Sequence, residues 1–145
     1  MDQHKALPGD VVLNLFGSDT VIHAVTREEL LHDGVLVDVS AMAREAGFRA
    51  PFALTAEVWA DCVEWDEQDS VRQCHQDIDG RLWDVLWMAR CAVRRAPKAS
   101  STPFELLRIP RGGRGHTPKP VTLHLTLTSG DDGSPVFTVL QPGQD

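Results

Sequence analysis

The sequence is poor in cysteine. Cys62, Cys74 and Cys91 are its three, an odd number with no Cys-x-x-Cys spacing. A secreted disulfide framework normally pairs its cysteines, so the expected setting is the reducing cytoplasm. Familiar zinc-ligand spacing is also missing from Cys62, Cys74, His75 and Cys91. Cys62 and Cys91 fall in apolar helical stripes, where free cysteine packs as a small hydrophobe, so no metal and no cofactor is expected. Apolar runs are short, and none approaches the ~20 residues of a membrane span. Met1-Asp2-Gln3-His4-Lys5 lacks the charged-then-apolar layout of a signal peptide, and no membrane partner is expected. There is no internal repeat and no linker-like stretch. The 145 residues therefore read as a single domain, and in residues 1–19 the short apolar run Val11 to Phe16 reads either as an edge strand or as an extended arm.

Charge is present but unevenly spread. The net charge is −7, yet residues 1–79 hold 16 acids against 5 bases and residues 80–120 hold 9 bases against 2 acids. Such segregation produces either two-signed surfaces or faces that attract one another inside the fold.

Local patterns predict an α+β fold. Thr26-Arg27-Glu28-Glu29 has the form of a capping box, with Val25 and Leu30 as its hydrophobic staple and Asp33-Gly34 as the stop. Val35 to Val39 reads as a buried strand, and Ser40 as the N-cap of a short helix ending at Gly47. A turn is expected after Pro51, and then a helix capped by Thr55 that runs to about Trp65. Residues 66–79 read as a polar loop with at most one helical turn. Arg81 to Ala96 is apolar almost all round, which predicts a central buried helix. Phe104 to Ile109 is a strand candidate, and Val121 to Thr128 alternates as a half-buried strand. After the turn cluster at 129–134, Val136 to Leu140 returns as its hairpin partner. The expected architecture is an antiparallel sheet: the C-terminal hairpin plus one or two further strands. It packs against a central buried helix and two or three short helices.

The strongest candidate site is the glycine-rich basic stretch from Arg108 to Lys119. Arg108, Arg111, Arg114, His116 and Lys119 are the candidate residues for gripping a partner or an anion, while Gly112, Gly113 and Gly115 allow close backbone approach. A solvated hairpin loop would have the same composition. The acidic band from Glu57 to Asp69 reads either as a solvent face or as a mimic of a phosphate backbone that fills a partner's basic groove. Trp59, Trp65, Trp83 and Trp87 suit core packing, or base stacking if they are exposed beside positive charge.

Two resemblances add to this reading. Ile22-His23-Ala24-Val25-Thr26 and Leu30-Leu31-His32-Asp33-Gly34 resemble the opening of some ADP-ribosyltransferases, where a strand-borne histidine holds the nicotinamide ribose. The resemblance would give His23 that role. Those enzymes also carry a late glutamate, and no glutamate follows Glu105 here. Over most of residues 20–143 the chain resembles a family of uncharacterised small proteins encoded on bacterial plasmids, integrative conjugative elements and phages. The segments that carry this include 33–40, 43–48, 58–63, 80–90, 110–114 and 130–133. The resemblance implies a mobile-element setting, in which interference with host defence and service to the element's own upkeep are both open roles. The function expected within it is a non-enzymatic binding protein that acts on a host or element-encoded protein. An NAD-dependent transferase and a nucleic-acid-binding protein that uses the basic loop are the alternatives.

Overall fold

The computed structural model describes residues 25–144, so the N-terminal arm and His23 lie outside the described residues. Helix α1, Arg27–His32, begins where the capping box predicts. The Thr26 hydroxyl accepts from the Glu29 amide at 3.0 Å, and the Glu29 carboxylate accepts from the Thr26 amide at 3.0 Å. Gly34, at φ +79°, lets the chain turn back into strand β1, Leu36–Asp38. Helix α2, Ser40–Glu45, follows directly. Ser40 does not cap it: its hydroxyl donates to Asp38 at 2.6 Å and accepts from the Phe52 amide at 2.9 Å, bridging two strands.

Strand β2, Phe52–Thr55, stands where the sequence predicts a turn, and all four of its residues are buried. An apolar run this short has no alternation to mark it. Thr55 does cap the next helix, accepting from the Val58 amide at 3.3 Å. That helix, α3 (Ala56–Val58), passes into a π-helical turn, Trp59–Val63, and becomes extended at Glu64, just short of the expected end. The expected polar loop holds helix α4, Glu67–Arg72, which Asp66 and Asp69 cap reciprocally. Helix α5, Ile78–Arg95, is capped by Asp77 and is the longest of the described elements. Strands β3 (Ser101–Arg108), β4 (Lys119–Ser129) and β5 (Pro135–Leu140) complete the chain.

The five strands form one sheet in the order β1-β2-β5-β4-β3. Three pairings are antiparallel, and β2 runs parallel to β5. This is a larger sheet than the expected hairpin plus one or two strands. The parallel pair requires the whole helical middle of the chain to cross between β2 and β5.

Helices cover both faces rather than one. On the main face, Phe52, Leu54, Leu123, Leu125 and Val139 meet Leu82, Val85, Leu86 and Ala89 of α5. Phe48, Phe52 and Phe137 form an aromatic knot there, with centroids 4.8, 5.0 and 5.6 Å apart. Such contacts add about 0.5–1.5 kcal/mol each beyond area burial. On the opposite face α1 covers Leu36, Ala53 and Leu140 through Leu30. Arg27 is buried in this layer, donating to the Thr138 hydroxyl and the Phe137 carbonyl, both at 2.8 Å. Its burial lowers its pKa, which Asp38 and Asp131 oppose. The β4 alternation breaks near its end: Thr126 is buried, its hydroxyl donating to the Thr138 carbonyl at 3.2 Å, while Leu127 is 37% exposed.

The long helix is not buried all round. Its core stripe is Leu82, Val85, Leu86, Ala89 and Ala92, whereas Trp83 and Trp87 are 36% and 40% exposed. The apolar residue types suggest more burial than the helix has, because two of its largest side chains sit on the outer face.

Candidate functional site

The basic loop after β3 folds back onto the acidic band. Arg108, at the end of β3, makes a two-pronged pair with the Asp61 carboxylate at 3.2 and 3.1 Å. Arg111 reaches three acids: Asp69 at 2.6 Å, and Asp66 and Glu64 at 3.2 Å each. Arg72 donates to the other oxygen of Asp69. Planar guanidinium groups suit such multiple carboxylate contacts.

Two further residues fasten the loop through its backbone. Buried Gln73 donates to the carbonyls of Pro110 and Gly115, both at 2.9 Å, and accepts from the Gly112 amide at 3.2 Å. Gly112 has φ +98°, a conformation glycine adopts without strain. Buried Arg81 lies beneath, donating to the carbonyls of Val63, Asp61 and Ile109 at 3.2, 3.3 and 3.1 Å. Its guanidinium covers the Trp65 ring at 4.5 Å, and Trp65 donates to the Ser70 hydroxyl at 3.1 Å.

The electrostatics follow from this arrangement. Burial of the Asp69 carboxyl opposes its charge, but hydrogen bonds from the Asp66 amide and Arg111 prevail and hold its pKa below 3.8. The hydrogen bond to Asp69 raises the Arg111 pKa in turn. Burial and the adjacent Asp61 push the Cys62 thiol up to about 12, so it stays protonated and is a poor nucleophile or ligand at neutral pH. Among the described residues, no group of three or more His, Cys, Asp or Glu side chains is placed to hold a metal ion.

The five candidate residues therefore divide. Arg108 and Arg111 are paired with acids of the same chain, whereas Arg114, His116 and Lys119 are exposed along the loop. The acidic band divides likewise, since Asp61, Glu64, Asp66 and Asp69 hold the loop while Glu57 accepts from Gln144 at 3.0 Å. The four tryptophans form no single cage. Trp65 is buried under Arg81 and Trp59 packs against the core.

A second feature lies beside β3, built on two of the four tryptophans for which the sequence suits either core packing or stacking. Trp83 and Trp87, one helical turn apart on α5, stack with centroids 5.9 Å apart and planes 21° apart. Arg90 sits over Trp87 at 5.1 Å and donates to the Ala46 carbonyl at 3.3 Å. Together with Asp84, Met88, Glu105, Leu106 and Leu107, the two rings line a groove of about 450 Å³. Asp84 reaches solvent, but neighbouring groups strip part of its hydration and raise its pKa, with Arg81 acting in the opposite sense.

The groove runs along a sheet edge. Among the described residues, β3 pairs only with β4 within the sheet. The Leu127 amide donates to the Ser100 carbonyl at 2.8 Å, and the register continues from that bonded pair. By antiparallel alternation, residues 102, 104, 106 and 108 bond inward to β4, so the backbone groups of Glu105 and Leu107 point outward. Pro103 also falls at an outward position, where it offers no N–H.

The chain belongs to the family described as a family of unknown function, DUF6573, which matches residues 12–145. No curated protein and no solved structure matches the chain. Among the described residues, no helix is long and apolar enough to cross a membrane.

Proposed function

We propose that this family member is a binding protein that captures an extended segment of another protein along the β3 edge, with the Trp83–Trp87 groove as the anchor. The observation that carries the reading is the conjunction of two stacked, exposed indoles with outward backbone groups at Glu105 and Leu107. An added strand gains main-chain hydrogen bonds from such an edge, and alternate side chains gain pockets. Aromatic anchors in a groove are the usual centres of binding energy. The resemblance to proteins of mobile elements supports a host or element-encoded partner, with interference in host defence as one outcome of capture.

The test is a titration of ¹⁵N-labelled protein with a pentapeptide that alternates valine and threonine. Expected are shifts of the Trp83 and Trp87 indole signals together with slowed amide exchange at Glu105 and Leu107. Shifts confined to residues away from α5 and β3 would overturn the reading.

A second reading keeps the basic loop as a contact surface, because Arg114 and His116 stand exposed on a loop that is itself held in place and Lys119 is exposed beside it at the start of β4. An acidic protein face or a nucleic-acid backbone suits it. Affinity for a single-stranded oligonucleotide that falls steeply with salt, and falls further in Arg114→Ala, supports this reading. The transferase alternative rests on His23, and a rise in melting temperature with millimolar NAD that is lost in His23→Ala would favour it.

A further inference from the structure

We infer that the segment captured on β3 is basic, and that an arginine or lysine at its groove-facing position lays its stem on Trp83 and Trp87 and its charge against Asp84. This rests on the edge-capture reading and names its ligand chemistry.

The argument begins with the charges around the groove. Among its lining residues two are acids, Asp84 and Glu105, and none is a base. The nearest bases are already committed. Arg81 is tied to three carbonyls, Arg108 to Asp61, and Arg90 to the Ala46 carbonyl and the Trp87 ring. Asp84 differs from the acids of the loop-binding band, each of which holds an arginine: it has no ion pair among the described residues. A carboxylate that has lost part of its hydration, with the charge of Arg81 nearby but no direct ion pair, favours a ligand that supplies one. Its raised pKa is the expected consequence of that state.

Strand geometry then places both acids. Side chains alternate along a strand, so Phe104 and Leu106 face α5 while Glu105 and Leu107 belong to the opposite face. A segment added to the β3 edge would alternate in the same way. One side chain would enter the groove beside Trp83, Trp87 and Asp84, and its neighbours would lie on the face of Glu105 and Leu107. Each face thus offers one carboxylate and an apolar surface, Leu107 being 64% exposed. Arginine and lysine fit both needs at once, since their stems cover apolar surface while the charge reaches an acid, and a guanidinium also stacks on indole. Nucleic acid and acidic peptides meet repulsion at the same place.

The test uses the full chain and three probes: the alternating pentapeptide with a central arginine, the same peptide with the neutral isostere citrulline, and n-butylguanidinium alone. Trp83 and Trp87 indole shifts give the affinities. The arginine peptide is expected to bind about tenfold more tightly than the citrulline peptide, a ratio typical of one charge-assisted contact. Asp84→Asn is expected to bring that ratio down to about one. Asp84 lies on the outer surface of α5, so its isosteric amide leaves the core untouched, and an unchanged thermal transition verifies this.

Equal affinities for the two peptides, or an arginine advantage that survives in Asp84→Asn, overturn the inference while edge capture stands. If neither peptide binds but n-butylguanidinium shifts both indoles in the wild type and not in Asp84→Asn, the cation site holds and edge capture fails. No shift with any probe overturns both.

Discussion

The loop clasp and the tryptophan groove adjoin the same strand and handle charge in opposite ways. At the clasp, acids of 61–69 and arginines of 108–111 neutralise one another, and the remaining backbone groups go to Gln73 and Arg81. At the groove, two indoles, a partly dehydrated carboxylate and a strand edge face outward together. Part of the charge segregation along the chain is thus a folding device. The more telling functional signal is polar and aromatic surface that the fold leaves uncommitted.

The comparison predicts that clasp residues govern stability and groove residues do not. Arg81→Ala should have the largest effect. It strands three carbonyls and uncovers Trp65, and a loss of about 3–5 kcal/mol in urea unfolding is expected. Gln73→Ala should cost about 1–3 kcal/mol, because it removes three hydrogen bonds that shape the loop. A loss near zero in either variant would break the comparison at the clasp.

Acidification probes the same contacts. Asp69 has a lowered folded pKa, so its contribution is complete above the ordinary value of 3.8 and disappears as the pH falls through the folded value. Melting temperature measured from pH 6 downwards should therefore drop more steeply below about pH 4 in the wild type than in Asp69→Asn. Parallel curves would remove Asp69 from the account. The smallest effect is expected at Arg114→Ala and Lys119→Ala, both exposed, where stability should stay within about 0.5 kcal/mol of wild type.

Some of this was legible in the residues. The capping box at Thr26 and Glu29, the cap at Thr55 and the hairpin from β4 to β5 depend on neighbours within a few positions, and local patterns specify them. Strand β2 was not legible, because its four residues acquire their identity from β5, far along the chain. The basic loop and the acidic band were both visible as charge runs. Their pairing was not, since it joins residues separated by 42 to 47 positions. Gln73 and Arg81 carried no signal, because a lone polar residue at a helix end or in a helix's first turn gives no hint of the carbonyls it will meet. Trp83 and Trp87 misled in the other direction: their apolar character suggested burial, and only the packing of α5 on the sheet put them outside.

Thermal unfolding of Arg111→Glu and Trp83→Ala, run side by side, tests the central claim most directly. Arg111→Glu sets a fourth acid among Glu64, Asp66 and Asp69 and should lower the melting temperature clearly, and by more than Trp83→Ala, whose indole is already 36% exposed. The reverse order would mean that the loop is the free surface and the tryptophan row is part of the core.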